Sequence, residues 1–95
     1  MKKSFKPNYE VGLPWESDDY DESIRLQHVA MHRLGVARMH FDRVGWDGGI
    51  YQDKRPEGCK TNWNVWAVQC SEDVLAILIL RFNPTVQRLS NGNNL

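Results

Sequence analysis

Residues 62–69 (Asn-Trp-Asn-Val-Trp-Ala-Val-Gln) limit the fold more than any other stretch of the chain. Successive side chains of a strand point to opposite faces. Trp63, Val65 and Ala67 then share one face, and Trp66 and Val68 share the other. A strand that is apolar on both faces belongs in the middle of a sheet, or carries a binding surface on its second face.

The flanking sequence supplies neighbours for it. Val36 to Val44 alternates, with Ala37, Met39 and Phe41 on one side and Arg38, His40 and Asp42 on the other, which predicts a half-buried strand. Gly45-Trp46-Asp47-Gly48-Gly49 reads as a turn, because Asp-Gly supplies the positive φ angles of a tight hairpin. Ile50–Asp53 is then a short returning strand. Lys54–Thr61, punctuated by Pro56 and Gly58, is a loop.

Two helices are expected beside these strands. Ser17-Asp18-Asp19 offers capping side chains and acid for the first turn, and Gly35 is a natural left-handed stop after Leu34. At 100° per residue, Tyr20, Ile24, Leu26, Ala30, Met31 and Leu34 form the apolar arc, to be packed on Ala37, Met39 and Phe41. Val74–Phe82 follows Ser71-Glu72-Asp73, a cap and an acidic first turn, which favours helix; a buried strand paired with 62–69 is the alternative. Asn83-Pro84 ends that element, and Pro84 can open a last short helical turn through Leu89. Pro7, Gly12 and Pro14 break any period in residues 1–17, which read as an extended arm; 18–89 form the domain and 90–95 a flexible polar tail. The expected class is α+β: a small single domain with an N-terminal arm, one helix, a three-stranded antiparallel sheet and a C-terminal helix or fourth strand.

Bulk properties remove several functions. A chain with 41% hydrophobic and 25% charged residues can build a core, but one of 95 residues has little room for a deep cavity as well. The longest apolar run, Val74–Leu80, falls well short of the roughly 18 residues that span a bilayer. The basic start Met1–Lys6 has no apolar segment after it, so no signal peptide and no membrane role is expected. Cys59 and Cys70 then read as reduced thiols in the cytoplasm. Zero formal net charge argues against a dedicated duplex-DNA binder.

Candidate chemistry is sparse. His28 and His32 are four apart on one helical flank with Asp21 and Arg25, a spacing that can bind zinc, and His40 or Asp42 could add a ligand. Val29 stands where the metalloprotease motif needs a glutamate, and Arg25 repels a cation, so no metal site is expected. Cys59 lies among Lys54, Arg55 and Lys60, which favour thiolate, yet no base or oxyanion site accompanies it. The glycines at 45, 48 and 49 lack the strand–loop–helix setting of a phosphate loop. No catalytic residue and no cofactor are expected.

Aromatic and acidic residues carry the stronger signal. Residues 1–22 hold three lysines against six carboxylates, and residues 23–60 hold seven basic residues against four acidic ones. Glu16, Asp18, Asp19, Asp21 and Glu22 surround Tyr20, more acid than a helix dipole uses. Of four tryptophans, Trp15 falls in the arm, Trp46 at a hairpin tip, and Trp66 on the face opposite Trp63. Exposed indoles are favoured anchors in protein interfaces. These residues predict a non-enzymatic, protein-binding inhibitor or adaptor, steered to a partner with a basic surface such as a nucleic-acid enzyme. Small inhibitors carried by phages and mobile elements share this general profile. Two alternatives use the same residues: a single-stranded nucleic-acid-binding module stacking bases on sheet aromatics between Arg38, Arg43, Lys54, Arg55 and Lys60, and a zinc protein using His28 and His32. An exposed strand edge at Ile50–Asp53 or Asn62–Gln69 would allow a homodimer.

Overall fold

The structure, a computed structural model, describes residues 5–15, 19–46, 49–51 and 57–89. In chain order the elements are β1 (Tyr9–Trp15), α1 (Tyr20–Leu34), β2 (Arg38–Trp46), β3 (Gly49–Tyr51), β4 (Asn62–Gln69), α2 (Glu72–Phe82) and β5 (Thr85–Arg88). The strands form one antiparallel sheet in the order β3-β2-β4-β1-β5, so the class is α+β. β4 is the central strand, as its two apolar faces require.

Both helices start and stop on local chemistry. Asp19, in extended backbone, accepts a hydrogen bond from the Glu22 N–H at 3.0 Å, and Gly35 closes α1 at φ 109°. A side chain at Gly35 would also stand 3.1 Å from Val74 Cγ2, so this glycine lets α2 approach the end of α1. Ser71 caps α2 through the Val74 N–H at 3.2 Å, and Asn83 ends it in the left-handed region at φ 51°.

Three expectations are corrected. The extended arm is a strand: Tyr9–Trp15 pairs along its length with β4, Tyr9 against Val68 and Trp15 against Asn62. After Asn83 the chain does not start another helical turn. Pro84 leads into β5, which pairs with the other side of β1. The sheet therefore has five strands and not three. The physical reason is that β4 buries both faces and needs a second neighbour, which β1 provides; β1 then offers its own outer backbone groups to β5. Residues 90–95, expected as a flexible tail, lie outside the described residues.

Both helices cover one face of the sheet. Met31 of α1 and Leu78 of α2 join Tyr9, Val11, Leu13, Trp66 and Val68 in a single buried cluster. Directly paired residues share a face, and Tyr9–Val68 and Val11–Trp66 are such pairs. The helical arc differs from the apolar one. Within it Ser23 and Gln27 are buried with Met31, while Leu26 is 50% exposed and Tyr20 46%. Two polar residues go inside because β4 presents Asn64 to them. Asn64 Nδ2 donates to Ser23 Oγ at 3.0 Å and to Gln27 Oε1 at 3.2 Å, and Trp66 Nε1 donates to Gln27 Oε1 at 2.9 Å. Gln27 Nε2 completes the set by donating to the Leu13 carbonyl of β1 at 3.3 Å.

A break in alternation decides the far end of β2. The register slips between Phe41 and Arg43, a β-bulge at Asp42. Phe41 faces the helices; after the bulge Val44 and Trp46 do so, and Arg43 turns to the open face opposite Val65.

Removing the Gln27 amide tests the buried network. Gln27→Leu leaves the Trp66 indole N–H and the Asn64 amide without their shared acceptor, and a loss of about 2–4 kcal/mol is expected by urea unfolding. Leu26→Gln, one position away on the exposed side, should change stability by less than about 0.5 kcal/mol.

Candidate partner-binding surface

The structure separates the residues expected to bind a partner into three groups. Trp46 and Trp66 are buried, at 4% and 2% exposure, and cannot act as wet anchors. Trp66 lies under α1, its ring 5.6 Å from Phe41 and 6.1 Å from His28 by centroid. Trp46 is not at the hairpin tip. It is the last residue of β2, paired with Gly49, and the bulge turns it to the helical side. Glu16 and Asp18 lie outside the described residues. Trp15, Asp19, Tyr20, Asp21 and Glu22 remain candidates.

Trp15 ends β1, and the other four stand at the start of α1. Trp15 is half-buried at the end of β1, beside a cleft of about 400 Å³ lined by Pro14, Leu26, Ala30, Arg33 and Phe82. Its indole N–H is buried without an acceptor among the described residues. Asp19, Asp21 and Glu22 are exposed. Asp19 is occupied as the cap of α1, and Glu22 pairs with Arg25 at 3.1 Å between side chains about half exposed. Such a solvated pair contributes little to stability and leaves the carboxylate accessible to a competitor. Tyr20 stands edge-on to Phe41, ring centroids 6.0 Å apart.

Phe41 opens onto a groove that the sequence did not announce. About 330 Å³ lies between α1 and β2, with Ile24, Val29, Met39, Phe41 and Trp66 as an apolar floor and Arg25 and His28 at its rim. The groove exists because Gln27 and Ser23 draw α1 over β4, which leaves the β2 side of the helical face partly uncovered.

The sheet's other face carries no helix among the described elements. Arg43 and Glu10 cover its middle with a two-pronged ion pair, Nη1–Oε2 at 2.8 Å and Nη2–Oε1 at 3.1 Å, reaching across β4 above Val65. Arg43 also pairs with Asp42. The hydrogen bonds that Arg43 donates to Glu10 raise the guanidinium's pKa above its ordinary value, against partial desolvation and with help from Asp42. Val65 is buried as a result, at 5% exposure on an uncovered face. Trp63, and not Trp66, is the indole of this face. It lies over Gly12, where a Cβ would stand 3.5 Å from Trp63 Cε3.

The metal and thiol candidates do not converge. His28 and His32 are both exposed on α1, and no group of three metal-binding side chains occurs among the described residues. His40 alternates away from Met39 and Phe41 toward the open face. Cys59 is half-buried in the loop before β4; Lys54 and Arg55 lie outside the described residues. Cys70 is buried, and burial pushes its thiol pKa up. Among the described residues no helix is long and apolar enough to cross a membrane.

No protein-family model matches the chain, and a search of curated proteins finds none significantly similar to it.

The Cys70 environment gives a direct test of core integrity. In a Cys59→Ser background, iodoacetamide should label Cys70 at least about 100-fold more slowly in buffer than in urea, because a buried, protonated thiol reacts only after opening. Equal rates would contradict the burial.

Proposed function

We propose that this chain is a non-enzymatic protein-binding module that receives a basic partner at the amino end of α1. The observation that carries the reading is the position of Tyr20. It is nearly half exposed, stands edge-on to Phe41, a lining residue of the α1–β2 groove, and is neighboured in sequence by the exposed carboxylates of Asp19, Asp21 and Glu22. Carboxylates on the first turn of α1 steer a cationic surface to this end of the helix and fix its orientation. The groove then receives an apolar side chain of the partner, and Tyr20 supplies rigid contact area at low entropic cost. A nucleic-acid enzyme has the basic surface that fits this arrangement, and an inhibitor or adaptor is the corresponding role.

The aromatic anchors of this reading are Tyr20 and Trp15, with Trp46 and Trp66 supporting the core. The single-stranded nucleic-acid alternative loses more, because Trp66 is under a helix and Arg43 is committed to Glu10 and Asp42. A zinc role for His28 and His32 has no third ligand among the described residues.

Affinity capture from the source cells distinguishes the outcomes. Wild-type protein should retain a basic protein at low salt, and Asp21→Ser/Glu22→Ser should retain at least about tenfold less of it with an unchanged melting temperature. Nuclease treatment should not release it. Identical capture by the double variant would refute the α1 surface, and release by nuclease would favour the nucleic-acid alternative.

A further inference from the structure

The sheet border formed by β5 and α2 is a second surface, independent of the α1 junction. α2 is apolar nearly all round, and only Leu78 is fully buried. Leu80 is 88% exposed, Ile79 44% and Val86 of β5 39%. The orientation of this apolar set follows from contacts. Glu72 pairs with Arg88 of β5 at 3.5 Å, and Arg88 also lies over the Tyr9 ring at 5.5 Å. Ile79 is seven residues after Glu72, on the same helical stripe, so it flanks β5, with Ala76 between. Leu80 forms the crest. The undescribed segments of the chain are mostly polar in sequence; the six residues after Leu89 (Ser-Asn-Gly-Asn-Asn-Leu) contain one apolar side chain.

The backbone at the same border is also unpaired. Leu89 N–H donates to the Asn8 carbonyl at 3.0 Å, and Arg88 stands opposite Tyr9. In an antiparallel ladder the direction of the N–H and C=O groups alternates along the strand. Leu89, Gln87 and Thr85 therefore point to β1, and the N–H and C=O of Val86 and Arg88 point off the sheet. Among the described residues nothing receives them. β5 carries no bulge or internal proline that would discourage another strand, and its one charge, Arg88, points to the helical side, where Glu72 pairs with it.

We propose that a second copy of this chain covers the border, through antiparallel pairing of β5 with β5 about a twofold axis perpendicular to the sheet. Only that axis keeps the helices of both copies on the same side, and it requires a register centred on one residue. Centring on Val86 lets the two copies exchange the two hydrogen bonds that Val86 leaves open. Each Val86 then lies beside its symmetry mate beneath the helices, and Thr85 faces Gln87 of the other copy on the open side. With strands about 4.8 Å apart, α2 helices seated over the two β1–β5 seams stand about 10 Å from each other, the spacing at which helices interlock. They run antiparallel and bring Ile79, Ala76 and Leu80 together. Charge does not oppose this: the border's Glu72 and Arg88 neutralise each other, and the chain has zero formal net charge.

Light scattering on the full chain across a concentration series tests the proposal, with Val86→Pro and Ile79→Lys as variants. Val86→Pro deletes only an outward N–H, which an edge strand tolerates. The wild type should reach twice the 11.1 kDa chain mass, and each variant should halve that mass at matched concentration with unchanged circular dichroism. A wild type that stays at single-chain mass into the millimolar range overturns the proposal. So does a dimer that persists in both folded variants, since its interface lies elsewhere. Should Val86→Pro fail to fold, Ile79→Lys alone decides. Neither variant touches Asp21 or Glu22, so the result is separate from partner capture at α1.

Discussion

The side-chain amide of Gln27 holds α1, β4 and β1 in register. Its oxygen accepts from Trp66 and Asn64 of β4, and its nitrogen reaches the Leu13 carbonyl of β1. An apolar side chain there would leave α1 free to slide along a greasy sheet. Directional hydrogen bonds in a low-dielectric interior forbid that, because any shift strands buried donors. The cost of the arrangement is visible at Asn64, whose Oδ1 is buried without a partner among the described residues. The position of α1, and with it the groove against β2 and the exposure of Tyr20, follows from this one contact set.

The two faces of the sheet are closed by different chemistry. Under the helices an apolar cluster excludes water in the ordinary way. On the other face a chelated ion pair between Arg43 and Glu10 shields Val65, and Trp63 lies against Gly12. The bulge at Asp42 makes this possible. It turns Arg43 outward to meet Glu10 while Val44 and Trp46 turn in. One inserted residue thus allots both a salt bridge and a tryptophan to their faces.

Placing two of the four indoles in the core changes the meaning of the tryptophan content. Trp46 and Trp66 stabilise a small domain that has little other apolar volume to spend, as expected where surface is large relative to core. The surfaces proposed for recognition lie at two ends: carboxylates, Tyr20 and a groove around α1, and an aliphatic border along α2 and β5. These differ in character, one charged and aromatic, the other uncharged and aliphatic, and so suit different partners.

Local chemistry in the chain was sufficient for the helices and for most of the sheet. The caps at Asp19 and Ser71, the stops at Gly35 and Asn83, and the ends of β4 depend on neighbours a few residues away, and all are legible. The bulge leaves a trace that reading 45–49 as a turn passes over: the apolar positions 37, 39 and 41 are followed by 44 and 46, a step of three where two is expected. β1 was not legible. Gly12 and Pro14 read as punctuation, yet Gly12 is there because a Cβ would come within 2.5 Å of Thr85 Oγ1. Pro14 is harmless because its missing N–H falls on the side of β1 beyond the end of β5. Nothing local marks Ser23 and Gln27 for burial, for the same reason: their partners are distant in sequence. Capping, alternation and turn chemistry are properties of a short segment, whereas burial of a polar group, the use of a glycine gap and the fate of an indole depend on what a remote strand presents, and only the assembled tertiary structure decides that.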